Sequence, residues 1–342
     1  MRKTNHPIFL TLAAACAETE IEPCSKRRRF DRTASIANGK RTLNAGSIYW
    51  FPDGSGGICF NWQTGRIAIF YYDYNGRKLS REEKRKINEE IKAQRKRFEA
   101  ELRARYYAVS LLATSIWDVA DLSVTGHAYL VRKCLPQSHT GLRCISRVKA
   151  QGLINQAAIN QEDGEGQVLR AMGRLLVVPL TDENGLICSL QLIDESGRKT
   201  FLKGGRKKGL LWRPENLSFN AGNDGVIGIA EGVATAMSVT AMCSVPCVAA
   251  TDAGNLLPAA ETLRKVFPKH SLTFYADKDV SRVGEEKAKE AARLLIAQGA
   301  QCRVLLPAFD DHMMAAFTQR TGKAPTDFND LWVYEFQGGV DE

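Results

Sequence analysis

The sequence predicts a chain of mixed α+β and α/β class that ends in a parallel four-stranded sheet with flanking helices. Three observations support this. Short strands alternate with helices between Val226 and Leu331, which is the pattern of a parallel sheet with helical crossovers. Residues 46–72 contain short aromatic-rich strands separated by glycine turns, which indicates a small β unit. A strongly charged helical pattern begins near Ser80 and separates the two.

The N-terminal part is predicted to be a small sheet. Three strands are expected at Ser47–Phe51, Gly57–Trp62 and Arg66–Tyr72, because these segments are rich in aromatic and β-branched residues. Aromatic side chains can stack on nucleobases, but in so small a sheet we expect most of them to form its core. We place this unit at residues 46–78, after a poorly patterned segment, residues 1–45.

A long charged helix is predicted over residues 79–122. Ser80 and Glu83 match a capping box at its start. Its first half is rich in lysine and arginine, whereas its second half presents the apolar residues Val109, Ile116 and Val119. This pattern predicts a solvated arm that becomes a packed helix. Its basic face is equally consistent with contact to nucleic acid and with surface ion pairs.

Residues 123–220 are predicted to form a basic α+β subdomain. Its centre is a hairpin of Arg174–Leu180 and Leu186–Ile193, joined by an Asp-Glu-Asn-Gly turn. The run Arg198–Gly209 then mixes cations with glycines. Glycine lets the backbone approach a phosphate closely and the cations neutralise its charge, so this run predicts a phosphate-binding loop.

The module at residues 221–342 carries acidic residues just after its predicted strands. Glu231 follows the first strand, and Asp277 and Asp279 follow the third. Parallel sheets bring ligands to the carboxyl ends of their strands, so these acids are expected to meet at one edge. Clustered carboxylates repel one another unless a cation is bound, which predicts a Mg²⁺ or Mn²⁺ site. Second-line candidates are Asp252, which follows the second strand, and Asp327 and Asp330, which lie in the segment Pro325–Leu331.

Charge is divided unevenly along the chain. Residues 221–342 contain 11 basic and 16 acidic residues, whereas residues 1–220 contain 36 and 22. A basic body joined to an acidic module suggests that one part binds a polyanion and the other handles it with metal. The nine scattered cysteines form no paired knuckles, so no zinc is expected. No apolar run is long enough for a membrane span, and a cytoplasmic location is expected.

Several of these motifs together resemble the Toprim domain of DnaG-type primases. The resemblance is seen in two segments, Ile229-Ala230-Glu231-Gly232 and Tyr275-Ala276-Asp277-Lys278-Asp279. Further segments resemble the primases of plasmids, phages and integrative elements: Gly173–Gly209, Ala253–Leu256, Asp327–Leu331, His127–Lys133 and Asn61–Gly65. The resemblance covers most of the chain from about residue 46. It implies a DnaG-like primase core without the zinc-binding domain.

The resemblance also implies roles for individual residues. Glu231 would act on metal or as a general acid or base, and Asp277 and Asp279 would bind metal. Asp327 and Asp330 would support that site. The basic cleft for template, nucleotide or primer phosphates would contain Lys203, Arg206, Lys207, Lys208 and, as a weaker candidate, Arg174.

The expected function is therefore Mg²⁺-dependent synthesis of short RNA primers on single-stranded DNA from nucleoside triphosphates, for a mobile element. A separate replicative helicase is a further expected partner. Two alternatives stay open. One is a Toprim nuclease, and the other is a non-catalytic protein that binds single-stranded DNA during replication.

Overall fold

The computed structural model divides the chain into two compact units, residues 1–94 and residues 95–342. It describes residues 7–24, 30–39, 41–72, 81–138, 140–157, 167–215, 225–280 and 282–338. The boundary between the units falls within one long helix. Each unit has its own hydrophobic clusters, and the candidate site lies in the second.

The first unit is built on a five-stranded sheet with strand order β1-β5-β4-β3-β2. Strand β1 pairs parallel to β5, and the other neighbours pair antiparallel. Helix α1 packs on one face, where Cys16, Ile48, Cys59 and Phe70 are buried. The elements are β1 (Ile8–Phe9), α1 (Leu12–Thr19), β2 (Phe30–Ser35), β3 (Thr42–Trp50), β4 (Gly56–Asn61) and β5 (Ile67–Tyr71).

This sheet extends further towards the N-terminus than the sequence predicts. The segment predicted to be weakly patterned, residues 1–45, supplies β1, α1, β2 and the start of β3. Strand β1 is too short to show a period, and β2 carries buried Asp31 where an apolar residue would be the usual signal. Asp31 is accommodated because its Oδ2 accepts a hydrogen bond from Trp50 Nε1 at 2.8 Å.

The predicted long helix is present as α2 (Arg81–Val119). Its first half exposes charged side chains, with Arg85 Nε 3.5 Å from Glu89 Oε1. In its second half Val109, Leu112 and Ile116 are buried, whereas Val119 is exposed. The predicted cap, Ser80, lies outside the described residues. Helix α2 thus changes along its length from a solvated to a packed helix.

The second unit contains two sheets. The first of them has strand order β6-β7-β8-β9 and is antiparallel throughout. The apolar side of α2 packs on one of its faces. The predicted hairpin is the pair β7–β8. The elements are α3 (Ala128–Arg132), β6 (Arg143–Ser146), α4 (Arg147–Gln156), β7 (Arg174–Thr181), β8 (Ile187–Asp194) and β9 (Lys199–Phe201).

The last sheet is parallel, with strand order β11-β10-β12-β13, and confirms the predicted four-stranded α/β module. Helices α6 and α7 cover one face, and α5 and α9 lie against the other. The strands are β10 (Val226–Ala230), β11 (Cys247–Ala249), β12 (Ser271–Tyr275) and β13 (Cys302–Leu305). The helices are α5 (Val233–Cys243), α6 (Leu256–Val266), α7 (Val283–Ala297), α8 (Asp311–Thr321) and α9 (Phe328–Gly338).

One hydrophobic cluster joins the two sheets of the second unit. Leu176 and Ile193 of the antiparallel sheet lie in the same cluster as Val233 and Tyr275 of the parallel module. Trp212 is buried in this cluster and forms a two-way backbone bridge with Ala249, with both N–O distances 3.0 Å. The two sheets therefore share a core, which fixes the basic loop relative to the acids. No helix in the described ranges has the length and apolarity that a membrane crossing requires.

Candidate functional site

The acids predicted from sequence lie at one edge of the parallel sheet. Ala230, at the end of β10, pairs with Tyr275 at the end of β12 and with Ala249 at the end of β11. Glu231 directly follows the first of these strand ends, and Asp277 lies two residues beyond the second. Parallel register therefore brings together side chains that are far apart in the sequence.

Glu231 and Asp277 both lie beside the first turn of α7. A Cβ atom placed on Gly284, in the first turn of α7, would lie 3.6 Å from Glu231 Oε2 and 3.8 Å from Asp277 Cβ. These are ordinary van der Waals distances, so a Cβ would also fit at this position. They place the first turn of α7 beside both acids.

Asp277 is a partly buried acid of the cluster whose pKa is strongly raised. Burial, followed by the negative charges of Asp327 and Glu231, raises the pKa of Asp277 to about 7. Its Oδ1 atom is buried and accepts no hydrogen bond from any atom of the described residues. A buried carboxylate oxygen without a donor is costly, which indicates that a bound group is needed to satisfy it.

Glu231 is half-buried at the same edge. Burial is the main cause that raises the pKa of its carboxyl group above the usual range, and the positive charge of Lys199 opposes that change. The charges of Asp252 and Asp279 raise this pKa further. The raised pKa gives Glu231 a protonation range closer to neutral pH, which suits a group that exchanges protons.

Asp279 is exposed, and its carboxylate accepts a hydrogen bond from the backbone. Arg282 donates its backbone N–H to Asp279 Oδ1 at 2.8 Å. The second-line candidate Asp252 also lies at this edge, with its Oδ2 atom 3.5 Å from Lys207 Nζ. Lys207 therefore connects the basic loop to the acidic edge.

Asp327 and Asp330 form a supporting turn rather than two equivalent acids. Asp327 Oδ1 accepts the Asp330 N–H at 2.8 Å, and burial is the main cause that raises the pKa of Asp327. Asp330 Oδ2 accepts the Thr326 N–H at 2.9 Å, and its Oδ1 lies 3.6 Å from Lys133 Nζ. Thr326 O in turn accepts the Lys278 N–H at 2.7 Å, which ties this turn to the loop after β12.

The basic loop, residues 203–208, is anchored at both ends. At its start, a Cβ on Gly205 would meet Ser189 Oγ at 2.6 Å and Val109 Cγ1 at 3.0 Å, so only glycine fits there. At its end, Gly209 donates its N–H to Asn255 Oδ1, and Asn255 Nδ2 donates to Leu210 O, both at 2.8 Å. Asn255 is buried and lies between β11 and α6, so it ties the end of the basic loop to the parallel module.

The cations of this loop differ in their surroundings. Lys203 and Lys208 are exposed. Lys207 Nζ lies 4.3 Å from the centre of the Phe201 ring, in addition to its contact with Asp252. Arg206 is half-buried, with Nη2 3.7 Å from Cys188 Sγ. Lys207 thus contacts an acid of the edge directly, whereas the placement of the other three cations towards that edge stays a prediction.

Arg174, the weaker candidate of the basic cleft, is engaged in holding a loop. Its Nη2 donates to Gly126 O at 2.9 Å, and its Nε lies 3.5 Å from Glu195 Oε1. His127 Nε2 lies 3.2 Å from Arg174 O. These contacts give Arg174 a structural part in this corner, and its role towards phosphate stays a prediction.

Two lysines near the acids were not selected from the sequence. Lys199 on β9 reaches the Glu231–Gly232 turn, because a Cβ on Gly232 would lie 3.7 Å from Lys199 Nζ. Its charge lowers the pKa of both Glu231 and Asp277. Lys133 acts in the same direction on Asp327. The only sequence signal for Lys199 was its place at the start of the basic run.

The donor chemistry of this edge suits a hard divalent cation. Within the described part of the chain, no three His, Cys, Asp or Glu side chains are arranged to hold a metal ion. Mg²⁺, however, is usually bound by one or two carboxylates and completes its shell with water and phosphate oxygens. The adjacent carboxylates of Glu231 and Asp277, with the unsatisfied Oδ1 of Asp277, fit that mode of binding.

Comparison with known proteins identifies the C-terminal module. A family profile described as a Toprim domain matches residues 226–337. These residues therefore form a Toprim domain, in agreement with the parallel sheet and its flanking helices.

Two curated relatives are DNA primase TraC proteins of Escherichia coli. One is 33% identical over 128 residues, which are 35% of this chain and 12% of the relative. The other is 31% identical over 153 residues, which are 43% of this chain and 10% of the relative. The chain thus matches only a small part of either relative.

Among solved structures, that of the Aquifex aeolicus primase, which contains zinc-binding and RNA polymerase domains, is 15% identical. The match covers 91% of this chain and 80% of that one, with a TM-score of 0.44.

Proposed function

We propose that this chain, which carries a Toprim domain over residues 226–337, is a DNA primase that synthesises short RNA primers on single-stranded DNA. The observation that carries the proposal is the acidic edge of that domain next to an anchored basic loop, joined by the contact between Lys207 and Asp252. The similarity to proteins named DNA primase supports the same reaction class. Replication of a mobile element, a separate helicase partner and a cytoplasmic location belong to the same proposal.

The acidic edge supports the proposal through its fit to a divalent cation. Asp277, Asp279 and Glu231 would hold Mg²⁺ or Mn²⁺, with Asp327 and Asp330 as the supporting turn and Asp252 at its margin. When bound, the cation would neutralise charge that develops on the phosphoryl group during its transfer. Burial and then the charges of neighbouring acids raise the pKa of Asp277 to about 7, and a bound cation would favour its ionised form.

The chain's own residues would divide the remaining work. Lys203, Arg206, Lys207 and Lys208 would hold phosphates of the template, the primer or the incoming nucleotide. In the reaction, the 3′-hydroxyl oxygen of one nucleotide attacks the α-phosphorus of the next, and the bond to pyrophosphate breaks. Glu231 would accept the proton that the hydroxyl loses, since burial raises its pKa towards neutrality.

Primer synthesis tests the proposal directly. The full chain is incubated with single-stranded DNA, labelled nucleoside triphosphates and Mg²⁺, and the products are separated by length. We expect short RNA products from the natural chain and a loss of at least about 100-fold in Asp277→Ala or Asp279→Ala, as for removal of one main stabilising group. The matched control is Glu261→Gln, which neutralises an exposed acid on α6 of the same domain.

Three outcomes would contradict the proposal in different ways. Equal synthesis in Asp277→Ala, Asp279→Ala and the natural chain would remove the metal assignment. Degradation of the template without primers would favour the nuclease. Binding of the template without any chemistry would favour the accessory protein.

A further inference from the structure

Arg282, the residue before helix α7, contacts a buried glutamate that the proposed chemistry does not use. Glu285 lies in the first turn of α7, and its side chain is only 7% exposed. Arg282 Nη2 lies 3.1 Å from Glu285 Oε1 and Arg282 Nε lies 3.2 Å from Oε2, which makes a two-pronged ion pair. Lys289, one turn further on, donates to the same carboxylate. These contacts hold the guanidinium of Arg282 in a fixed orientation.

Arg282 has a backbone conformation that its own side chain disfavours. Its φ angle is 53°, in the left-handed region. A residue with a side chain rarely takes this conformation unless other contacts maintain it. In this conformation the N–H of Arg282 donates to Asp279 Oδ1 at 2.8 Å and to Asp279 O at 3.2 Å. The backbone N–H of Glu286 donates to Arg282 O at 2.9 Å, and the ion pair with Glu285 holds the side chain, so both contacts can help to maintain this conformation.

The first turn of α7, which begins directly after Arg282, lies beside the other two acids. A Cβ on Gly284 would lie 3.6 Å from Glu231 Oε2 and 3.8 Å from Asp277 Cβ. A change in the conformation of Arg282 would therefore shift the carboxylate of Asp279 relative to the two neighbours with which it is proposed to bind a cation.

We propose that Glu285 is a positioning residue, which holds Arg282 in the left-handed conformation and so fixes the carboxylate of Asp279 for binding of a divalent cation. This inference rests on the proposed function, because it deepens the role given there to Asp279. Glu285 itself does not touch the cation or the substrate. It acts through two links, the ion pair to Arg282 and the hydrogen bond from Arg282 to Asp279.

The test is Mn²⁺ binding by the full chain, followed by the electron paramagnetic resonance signal of free Mn²⁺. Glu285→Gln keeps the size of the side chain but removes its charge, and we expect Mn²⁺ affinity to fall about tenfold, the lower end for residues that orient metal ligands. The matched control is Glu290→Gln. Glu290 is an exposed acid on the same helix, with Oε2 2.7 Å from Lys287 Nζ, and its neutralisation should leave Mn²⁺ affinity unchanged.

A second pair of variants separates positioning from mere loss of structure. Glycine adopts the left-handed conformation without strain. The double variant Glu285→Gln with Arg282→Gly should therefore bind Mn²⁺ more tightly than Glu285→Gln alone. Arg282→Lys, at an exposed side chain, keeps the charge but cannot form the two-pronged pair, so Mn²⁺ affinity should fall about two- to fivefold with an unchanged melting temperature.

The outcomes distinguish this inference from the proposed function. If Glu285→Gln and Arg282→Lys bind Mn²⁺ as tightly as Glu290→Gln, or if glycine at position 282 restores nothing, Glu285 is not a positioning residue. If the natural chain binds Mn²⁺ but makes no primers, the proposed function fails, and a weakened Glu285→Gln still supports the positioning role. A natural chain that binds no Mn²⁺ overturns both.

Discussion

The carboxyl group of Asp277 has a much higher pKa in the folded protein than in the unfolded chain. Its pKa is raised to about 7, with burial as the largest cause. An unfolded chain would ionise this carboxyl near its ordinary pKa of about 3.9. Between these two values the folded protein retains a proton that the unfolded chain has lost. The free energy of unfolding of the metal-free protein therefore falls as pH rises from about 4 to about 7.

The first prediction concerns this pH dependence. Asp277→Asn cannot ionise, so in a metal chelator its melting temperature should equal that of the natural chain near pH 4 and exceed it by a few degrees at pH 8. Added Mg²⁺ should stabilise the natural chain more than the variant, because ligand binding to the folded state alone raises stability. Thermal unfolding across this pH range is the measurement. If melting temperature depended on pH in the same way for both proteins, ionisation of Asp277 would not destabilise the folded protein.

For individual residues, the sequence predicts the acids of the site better than the lysines that lie near them. Glu231 directly follows β10, Asp277 and Asp279 lie within four residues of the end of β12, and strand ends can be located from local periodicity. Lys199 and Lys133 act on the acids through contacts between distant segments, and nothing in their local sequence distinguishes them from surface lysines. The contact between Asp330 and Lys133 likewise cannot be predicted from local sequence, because the two residues are almost 200 positions apart in the chain.

At the scale of elements, the basic loop depends on one buried amide side chain. Asn255 accepts from Gly209 N, and its Nδ2 donates to Leu210 O and to Ala250 O. It therefore connects the end of the basic loop to the end of β11. The sequence marked the motif around Asn255 but could not assign it this part, because all but one of these bonds reach more than forty residues away along the chain.

The second prediction concerns this anchor. Asn255→Leu leaves the three backbone groups without partners, so the free energy of unfolding should fall by about 2–4 kcal/mol. Hydrogen exchange at the amide of Gly209 should accelerate more than exchange in β7. Thr262→Val, which removes only one bond to Gly209 O, is the matched control and should cost about 1 kcal/mol. Unchanged exchange at Gly209 in Asn255→Leu would contradict the anchoring role.

The third prediction concerns the exposed cations of the same loop. Replacing Lys203 and Lys208 with alanine should weaken binding of single-stranded DNA and reduce the slope of log affinity against log salt by about 1–2. The matched control replaces Lys269 and Lys323, which are exposed in the acidic module and change net charge equally. Fluorescence anisotropy at several salt concentrations measures both. Equal slopes for the two double variants would remove these lysines from the DNA contact.

Secondary-structure elements were predicted most reliably where the period is regular. The four strands of the parallel module, the hairpin β7–β8 and helix α2 all show a clear alternation or helical spacing. In the first unit, β1 has two residues and β2 buries a charged side chain that only Trp50 makes acceptable. Such elements depend on tertiary contacts, which is why local pattern did not reveal them.

At the scale of the whole molecule, the Toprim module and the antiparallel sheet are parts of one core. Burial of Val233, Met237 and Tyr275 involves the same hydrophobic cluster as Leu176 and Ile193. Charge segregation along the sequence suggested two cooperating parts, but it carried no information about a common interior. The shared core is formed by hydrophobic contacts between segments that are far apart in the sequence. The periodicity of a single sequence does not predict such contacts.

The fourth prediction concerns fragments. Residues 95–342 should unfold cooperatively when expressed alone, since they form one compact unit. Residues 225–342 should bind a hydrophobic dye and lack a cooperative transition, because the face that contacts Trp212 would be exposed. Circular dichroism on heating and dye fluorescence measure this. A sharp transition in residues 225–342 at the temperature of the longer fragment would show that the module folds independently.

The backbone bridge between Trp212 and Ala249 also bears on how such genes can exchange segments. The family match begins at residue 226. A DNA crossover at that codon would take Trp212 from one parental sequence and its bridge partner Ala249, in the edge strand β11, from the other. The hydrophobic core that the two sheets share would then combine residues from two parents. A crossover within α2 near residue 94 would keep every contact of the shared cluster within one parental sequence. The segment of this protein that can be inherited as a unit is therefore expected to be longer than residues 226–337, with a tolerated junction in the solvated half of α2.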